Sequence, residues 1–207
     1  MSHGVETERR RQLMACALQR FARHGYHAAK ISDIVADAGV AQGTFYWHFK
    51  SKEAVALELV AEGRRQLTEV IAQGYRRSGG TLPDMVRASE QLFADLYRFA
   101  EGNRQWMELL LGGLQGSEAV SAAIAETRLA LEQAFVANIE RAVELGMLPR
   151  DMDAALRAAM LMSLVEGLIG RWLLSPRLPG SGVAGRTAEQ LAAETARFEF
   201  YGLPGGV

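Results

Sequence analysis

Between Lys30 and Ala54 the chain reads KISDIVADAGVAQGTFYWHFKSKEA, and no other stretch limits the fold as much. Ile31, Ile34, Val35 and Ala38 fall at i, i+3, i+4 and i+7, which makes one apolar stripe of a helix. Gly39 follows at once, where a residue in the left-handed conformation ends a helix. The spacing then predicts a second short helix over 42–49. Phe45 and Phe49, four apart, form its inward face. Gln42, Thr44, Tyr46, Trp47 and His48 give the rest of it donors and rings. Helix, glycine turn and short polar-aromatic helix together outline a helix-turn-helix, whose second helix enters the DNA major groove.

The rest of the chain is read around that centre. Helix 1 is expected over 6–24, with Met14, Leu18 and Phe21 on one face and Gly25 at its end. Arg9-Arg10-Arg11 at its start either reach phosphates or form a solvated basic end. Ser51 is a good N-cap for a fourth helix running to about Arg77, with Glu53 in its first turn. That helix joins head to body with no glycine linker, as a lever would. Further helices are expected over about 82–100, 104–111, 117–145, 153–174 and 187–201. Gly112-Gly113, Gly116 and the stretch 179–185 read as loops. No strand pattern or internal repeat is visible. The class is all-α with about nine helices, divided into a helix-turn-helix DNA-binding domain over 1–53 and a helical body over 54–207.

Charge supports the division. The net charge of the whole is −1, but residues 1–53 carry +3 and the remainder −4. All three lysines and all four histidines lie in the first part, so a His-built metal site in the body is excluded. A weakly basic head on an acidic body suits contact with DNA at one end only. The single cysteine, Cys16, rules out an internal disulfide and suits a reducing cytoplasm. The charged start has no signal-peptide core, and the most apolar run, 160–174, is interrupted by Glu166 and Arg171.

In the second short helix, Gln42 and Thr44 sit near the end that meets base edges. Gln pairs bidentately with adenine, and Thr bonds a base or touches a thymine methyl. Gly43 lets the backbone approach closely. Trp47 packs on the sugar-phosphate backbone or in the core. Lys52 adds a cation to a helix N-terminus, already an anion site. In the body, Met160–Leu174 is apolar almost all round, which predicts burial against a second subunit as well as its own core. Enzyme signatures are absent: there is no Gly-x-Ser-x-Gly, phosphate loop, paired cysteine or His pair on one helix. No cofactor is expected.

Phe21, Gly25-Tyr26, Ile31, Ile34, Ala38-Gly39-Val40, Gly43-Thr44-Phe45-Tyr46, His48-Phe49 and Ser51-Lys52-Glu53 together resemble the head of TetR-family (tetracycline-repressor-like) regulators. The resemblance covers about the first quarter of the chain. It implies that Tyr46 and His48 contact phosphate. Ala29 and Ala41 depart from the pattern, which has capping Thr and Ser there; Lys30 beside Ala29 restores one phosphate contact. The resemblance further implies a homodimer on a near-palindromic operator, formed by the last two long helices. Leu161, Leu164, Val165, Leu168, Trp172 and Phe198 are then central, and Gly167 and Gly170 allow close helix approach. It implies a small-molecule effector cavity as well. Candidates for its lining are Phe93, Tyr97, Trp106, Met107, Leu110, Met160 and Met162, with Arg104, Asn138 and Glu166 as polar partners. The leading expectation is a repressor released from DNA by a small, largely apolar ligand. Two other readings stand beside it. In one the body binds a protein partner or only dimerises; in the other a helical enzyme or scaffold has kept the head.

Overall fold

A computed structural model describes residues 2–74, 76–112, 116–176 and 180–203, with side chains from Glu6 onward. Every regular element among them is helical: α1 (Ser2–Ala28), α2 (Ile31–Asp37), α3 (Gln42–His48), α4 (Lys52–Ala72), α5 (Leu82–Gly102), α6 (Arg104–Leu111), α7 (Glu118–Glu144), α8 (Ala154–Ile169) and α9 (Ala188–Tyr201). A π-helical turn, Gly170–Leu174, follows α8. The all-α class is as the periodicities predict. The chain divides into two compact units, 1–63 with 105–127, and 64–104 with 128–207.

In the first unit α1 runs past the expected end but breaks where expected, at Gly25, whose φ of 76° most side chains avoid. Leu13, Ala17 and Phe21 of α1 close over Ile34 of α2, Phe45 and Phe49 around α3, and Val55 of α4. All are nearly or fully buried, so this small unit has a continuous apolar centre. Gly39, at φ 62°, turns α2 into the link to α3, and Val40 N–H donates to the Val35 carbonyl at 3.0 Å. Ser51 caps α4 as predicted, its hydroxyl accepting from Ala54 N–H at 3.1 Å. α6 seats Trp106 on α4. The indole donates to the Leu59 carbonyl at 3.0 Å and lies flat on Gly63, where an added Cβ would stand 1.8 Å from the ring.

The second unit is built on α5 against α9. Thr81 and Asp84 form a capping box at the start of α5, and Thr187 and Gln190 form another at the start of α9. Between these helices the buried Tyr97 hydroxyl meets Thr195 Oγ1 at 2.9 Å, and Thr195 in turn donates to the Leu191 carbonyl. α4 ends at Ala72 rather than near Arg77. One carbonyl of its last turn is taken by a side chain of α7, and the segment after it is held by another. Asn138 of α7 donates to the Ile71 carbonyl at 3.0 Å, and Arg141 donates to the Arg76 and Arg77 carbonyls. The helix expected to reach Leu174 is α-helical only to Ile169. Of the expected loops, Gly113 and Pro179 lie outside the described residues.

Candidate nucleic-acid interface

α3 is seven residues long, too short to be stable alone, so its neighbours must hold it. Phe45 is fully buried and Phe49 almost so; their rings stand 5.7 Å apart. Arg10 of α1 lies 4.9 Å over the Phe49 ring and pairs with Glu58 of α4. Arg20 grips Asp37 with two bonds, of 2.5 and 2.6 Å, and that guanidinium holds the Asp37 carboxyl below the usual carboxylate range. Gln12 donates to the Ala38 carbonyl at the end of α2. Helix 1 therefore clamps both arms of the helix-turn-helix.

The opposite face of α3 is bare. Trp47 is 66% exposed and Tyr46 52%, unusual for rings of that size, and Gln42 and Gly43 are exposed beside them. Thr44 and His48 are half-buried. A Cβ placed on Gly43 would meet nothing within 4 Å, so no packing in the chain itself asks for glycine there. Lys30 is exposed and forms the N-cap of α2 without any side-chain bond; Ala41 caps α3 and likewise offers none.

Lys52 is placed otherwise than its position suggests. Its ammonium donates to the carbonyls of Tyr26, His27 and Ala29 at 2.7, 3.3 and 3.0 Å and sits 4.4 Å over the Tyr26 ring. Burial there lowers its pKa. All three hydrogens have acceptors in the protein, so the residue locks the end of α1 to α4 rather than presenting a free cation. Arg10 likewise is a clamp, which its place in a run of three arginines did not reveal.

In the second unit Phe93 and Asn138 line a small cavity of about 60 Å³ beside Glu199. Met160 lines an adjoining groove of about 380 Å³. Tyr97 is wholly buried against Thr195, and burial pushes its phenol up to about 12. Trp106, Met107 and Leu110 are buried in α6. Glu166 pairs with Arg128 at 3.4 Å; burial raises its carboxyl and Arg128 opposes that. Of the residues expected at a dimer face, Val165 is only 4% exposed and faces its own core. Leu161, Leu164 and Leu168 are half-buried, and Trp172 packs edge-on to Tyr97 and donates to the Arg186 carbonyl. Phe198, Met160 and Leu156 are 46%, 55% and 53% exposed.

Among the described residues no group of three or more His, Cys, Asp and Glu side chains could hold a metal ion, and no helix is long and apolar enough to cross a membrane. Cys16 is half-buried, and burial with Asp37 nearby raises its thiol pKa.

A clamped helix-turn-helix with a bare polar-aromatic second helix defines a DNA-binding protein of the helix-turn-helix class. Residues 13–59 match the family model described as "Bacterial regulatory proteins, tetR family". Over 202 residues, 98% of this chain and 95% of the relative, the sequence is 27% identical to an uncharacterized HTH-type transcriptional regulator, YdgC, of Bacillus subtilis (strain 168). Two solved structures share its fold. The fatty acid degradation regulator FadR of Bacillus halodurans is 20% identical with a TM-score of 0.77, covering 94% of this chain and 96% of its own. FadR of Bacillus subtilis, solved in complex with stearoyl-CoA, is 19% identical with a TM-score of 0.75, covering 93% and 98%. Residues 13–59 thus carry the DNA-binding head of the TetR family, and along its length the chain is similar to transcriptional regulators of that family.

Proposed function

We propose that this chain is a homodimeric repressor, working in the cytoplasm, that holds a near-palindromic operator through α3 and leaves it when a small, largely apolar effector binds the second unit. The observation that carries the DNA half is the face of α3 at Gln42, Gly43, Tyr46 and Trp47, bare in a chain that buries Phe45 and Phe49 just beneath it. Gln42 and Thr44 read base edges, while Tyr46, Trp47, His48 and Lys30 meet the backbone. Lys52 acts by holding α1 and α4 together.

The dimer half rests on the row Leu156, Met160, Leu164 and Leu168 of α8 with Phe198 of α9, apolar and wholly or partly open to solvent. Gly167 and Gly170 have nothing within 4 Å of an added Cβ, which leaves room for a second helix. Two heads on a two-fold axis then meet successive major grooves, about 34–36 Å apart. The effector half is supported by the apolar groove at Met160, and by likeness to FadR of Bacillus subtilis, whose structure holds a long-chain acyl thioester.

Selection from a random duplex library tests the proposal: it should enrich an inverted repeat with half-sites about one helical turn apart. Enrichment of no motif, or of a lone half-site, overturns it. Leu164→Arg should yield monomers in sedimentation and weaken binding to the selected site. A wild-type chain that sediments as a monomer at micromolar concentration removes the dimer. The effector and the operator must weaken each other's binding by the same factor.

A further inference from the structure

The second unit contains a carboxyl group that the fold leaves incomplete. Glu199 lies near the end of α9, and its Oε2 is shut off from solvent with no hydrogen-bond partner. A hydrogen bond from Ser89 of α5 reaches the carboxyl, and the Arg76 charge acts on it through space. Arg76 is itself tied down, donating to the Asp84 and Met85 carbonyls at 3.2 and 3.1 Å. A buried acceptor without a donor is a standing cost, greater for a charged group. Chains seldom keep such a group unless something else answers it.

The surroundings show where an answering molecule would lie. Ile139, Leu148, Leu161, Glu199 and Phe200 line both the small cavity and the neighbouring groove. The groove is walled otherwise by Met152, Met160, Leu164 and Phe198, with Arg157 at its exposed edge. Arg76, Arg157 and Glu199 are the only charged residues lining the two among the described residues. Glu199 thus borders a largely apolar groove, whose methionine side chains adapt to a flexible chain.

From the unpartnered Glu199 oxygen and the apolar groove that Glu199 lines, we infer that the second unit binds a cationic amphiphile. Its protonated amine would engage Glu199, and its hydrocarbon tail would lie along Met152, Met160 and Leu161. This deepens the proposal of a largely apolar effector and rests on it. Met160, Leu164 and Phe198 also belong to the row assigned to the dimer face, so in the dimer a second copy would border this groove. A protonated amine supplies the missing donor and a charge of the right sign together; an alcohol supplies only the first and a carboxylate neither. Burial raises the Glu199 carboxyl to about 7 when nothing is bound. The cation needs the ionised form, so amine affinity should rise as pH passes upward through 7 and then level off.

Calorimetric titration of the full chain with decylamine, decanol and decanoate, each below its micelle concentration, tests this. Wild type should prefer decylamine to decanol by about tenfold or more at pH 8, and by less at pH 6. Glu199→Gln keeps the shape and removes the charge, and it should abolish the preference while leaving decanol binding unchanged. Glu199→Met, checked for folding by its melting curve, should do the same. Binding of all three amphiphiles with equal affinity to wild type and variant overturns the amine site but keeps an apolar effector. A preference for decanoate overturns the charge assignment. Binding of none removes both the amine and the apolar effector.

Discussion

Gly43 sits inside a helix, where glycine is about 1 kcal/mol worse than alanine. Nothing in the chain occupies the space its missing side chain leaves. In the proposed function, close passage of a DNA backbone is the compensation. Gly43→Ala is therefore expected to stabilise the fold by about 1 kcal/mol while weakening operator binding. Urea denaturation and DNA titration of the same sample check both signs; a variant that is more stable and binds as before would show that DNA does not approach this position. Residue 41 gives the complementary case. Ala41 has the extended conformation of an N-cap, φ −71° and ψ 152°, but no side chain to accept a bond from the first turn of α3. Ala41→Ser should add about 1 kcal/mol, seen as a higher urea midpoint at constant slope.

At the scale of elements, the contact of α6 with α4 is the most demanding. Gly63 lies in mid-helix, where replacement by alanine ordinarily helps. Here the added carbon would stand 1.8–2.2 Å from three ring atoms of Trp106, and the ring is held in place by its bond to the Leu59 carbonyl. Steric overlap outweighs propensity, so Gly63→Ala should destabilise by about 1–3 kcal/mol. In a double-mutant cycle, Trp106→Ala should remove most of that penalty, because the same carbon then meets open space. Independent effects would mean that helix and ring do not constrain each other. The lesson extends to the end of α4. Asn138 takes a carbonyl of its last turn and Arg141 ties down the segment after it, so where the helix stops depends on α7 as well as on its own residues.

For the whole molecule, pH is the readout of the incomplete carboxyl. Glu199 titrates near 4.5 when exposed and at about 7 in the folded chain. The native state holds this proton more tightly than the unfolded state does. Stability therefore falls as pH rises from about 4.5 through about 7, and is level above that. The swing is on the order of 3 kcal/mol at most. Asp37 and Asp84, held low by Arg20 and by Thr81, act in the opposite direction only at more acid pH. The melting temperature of wild type minus that of Glu199→Gln should thus decline between pH 5 and pH 8; a constant difference would remove the raised pKa.

The sequence by itself determined the helix-turn-helix. Apolar residues at i, i+3, i+4 and i+7, a glycine stop and the pair Phe45 and Phe49 are local signals, and backbone periodicity alone decides which side chains share a face. That is why Tyr46 and Trp47 could be read as outward before any contact was known. Only the tertiary structure decided what Lys52, Trp106, Val165 and Glu199 do. Each is settled by partners at least 23 residues away in the chain or on another helix: the Tyr26, His27 and Ala29 carbonyls or ring, the Gly63 seat, the chain's own core, and the cavity lined by Arg76 and Ser89. A lysine near a helix start reads as a free cation until its three hydrogens are counted against carbonyls that folding brings within reach. A glutamate near the end of an amphipathic helix reads as solvated until packing closes water out. Burial is a property of the assembled volume, and no local pattern of residues encodes it.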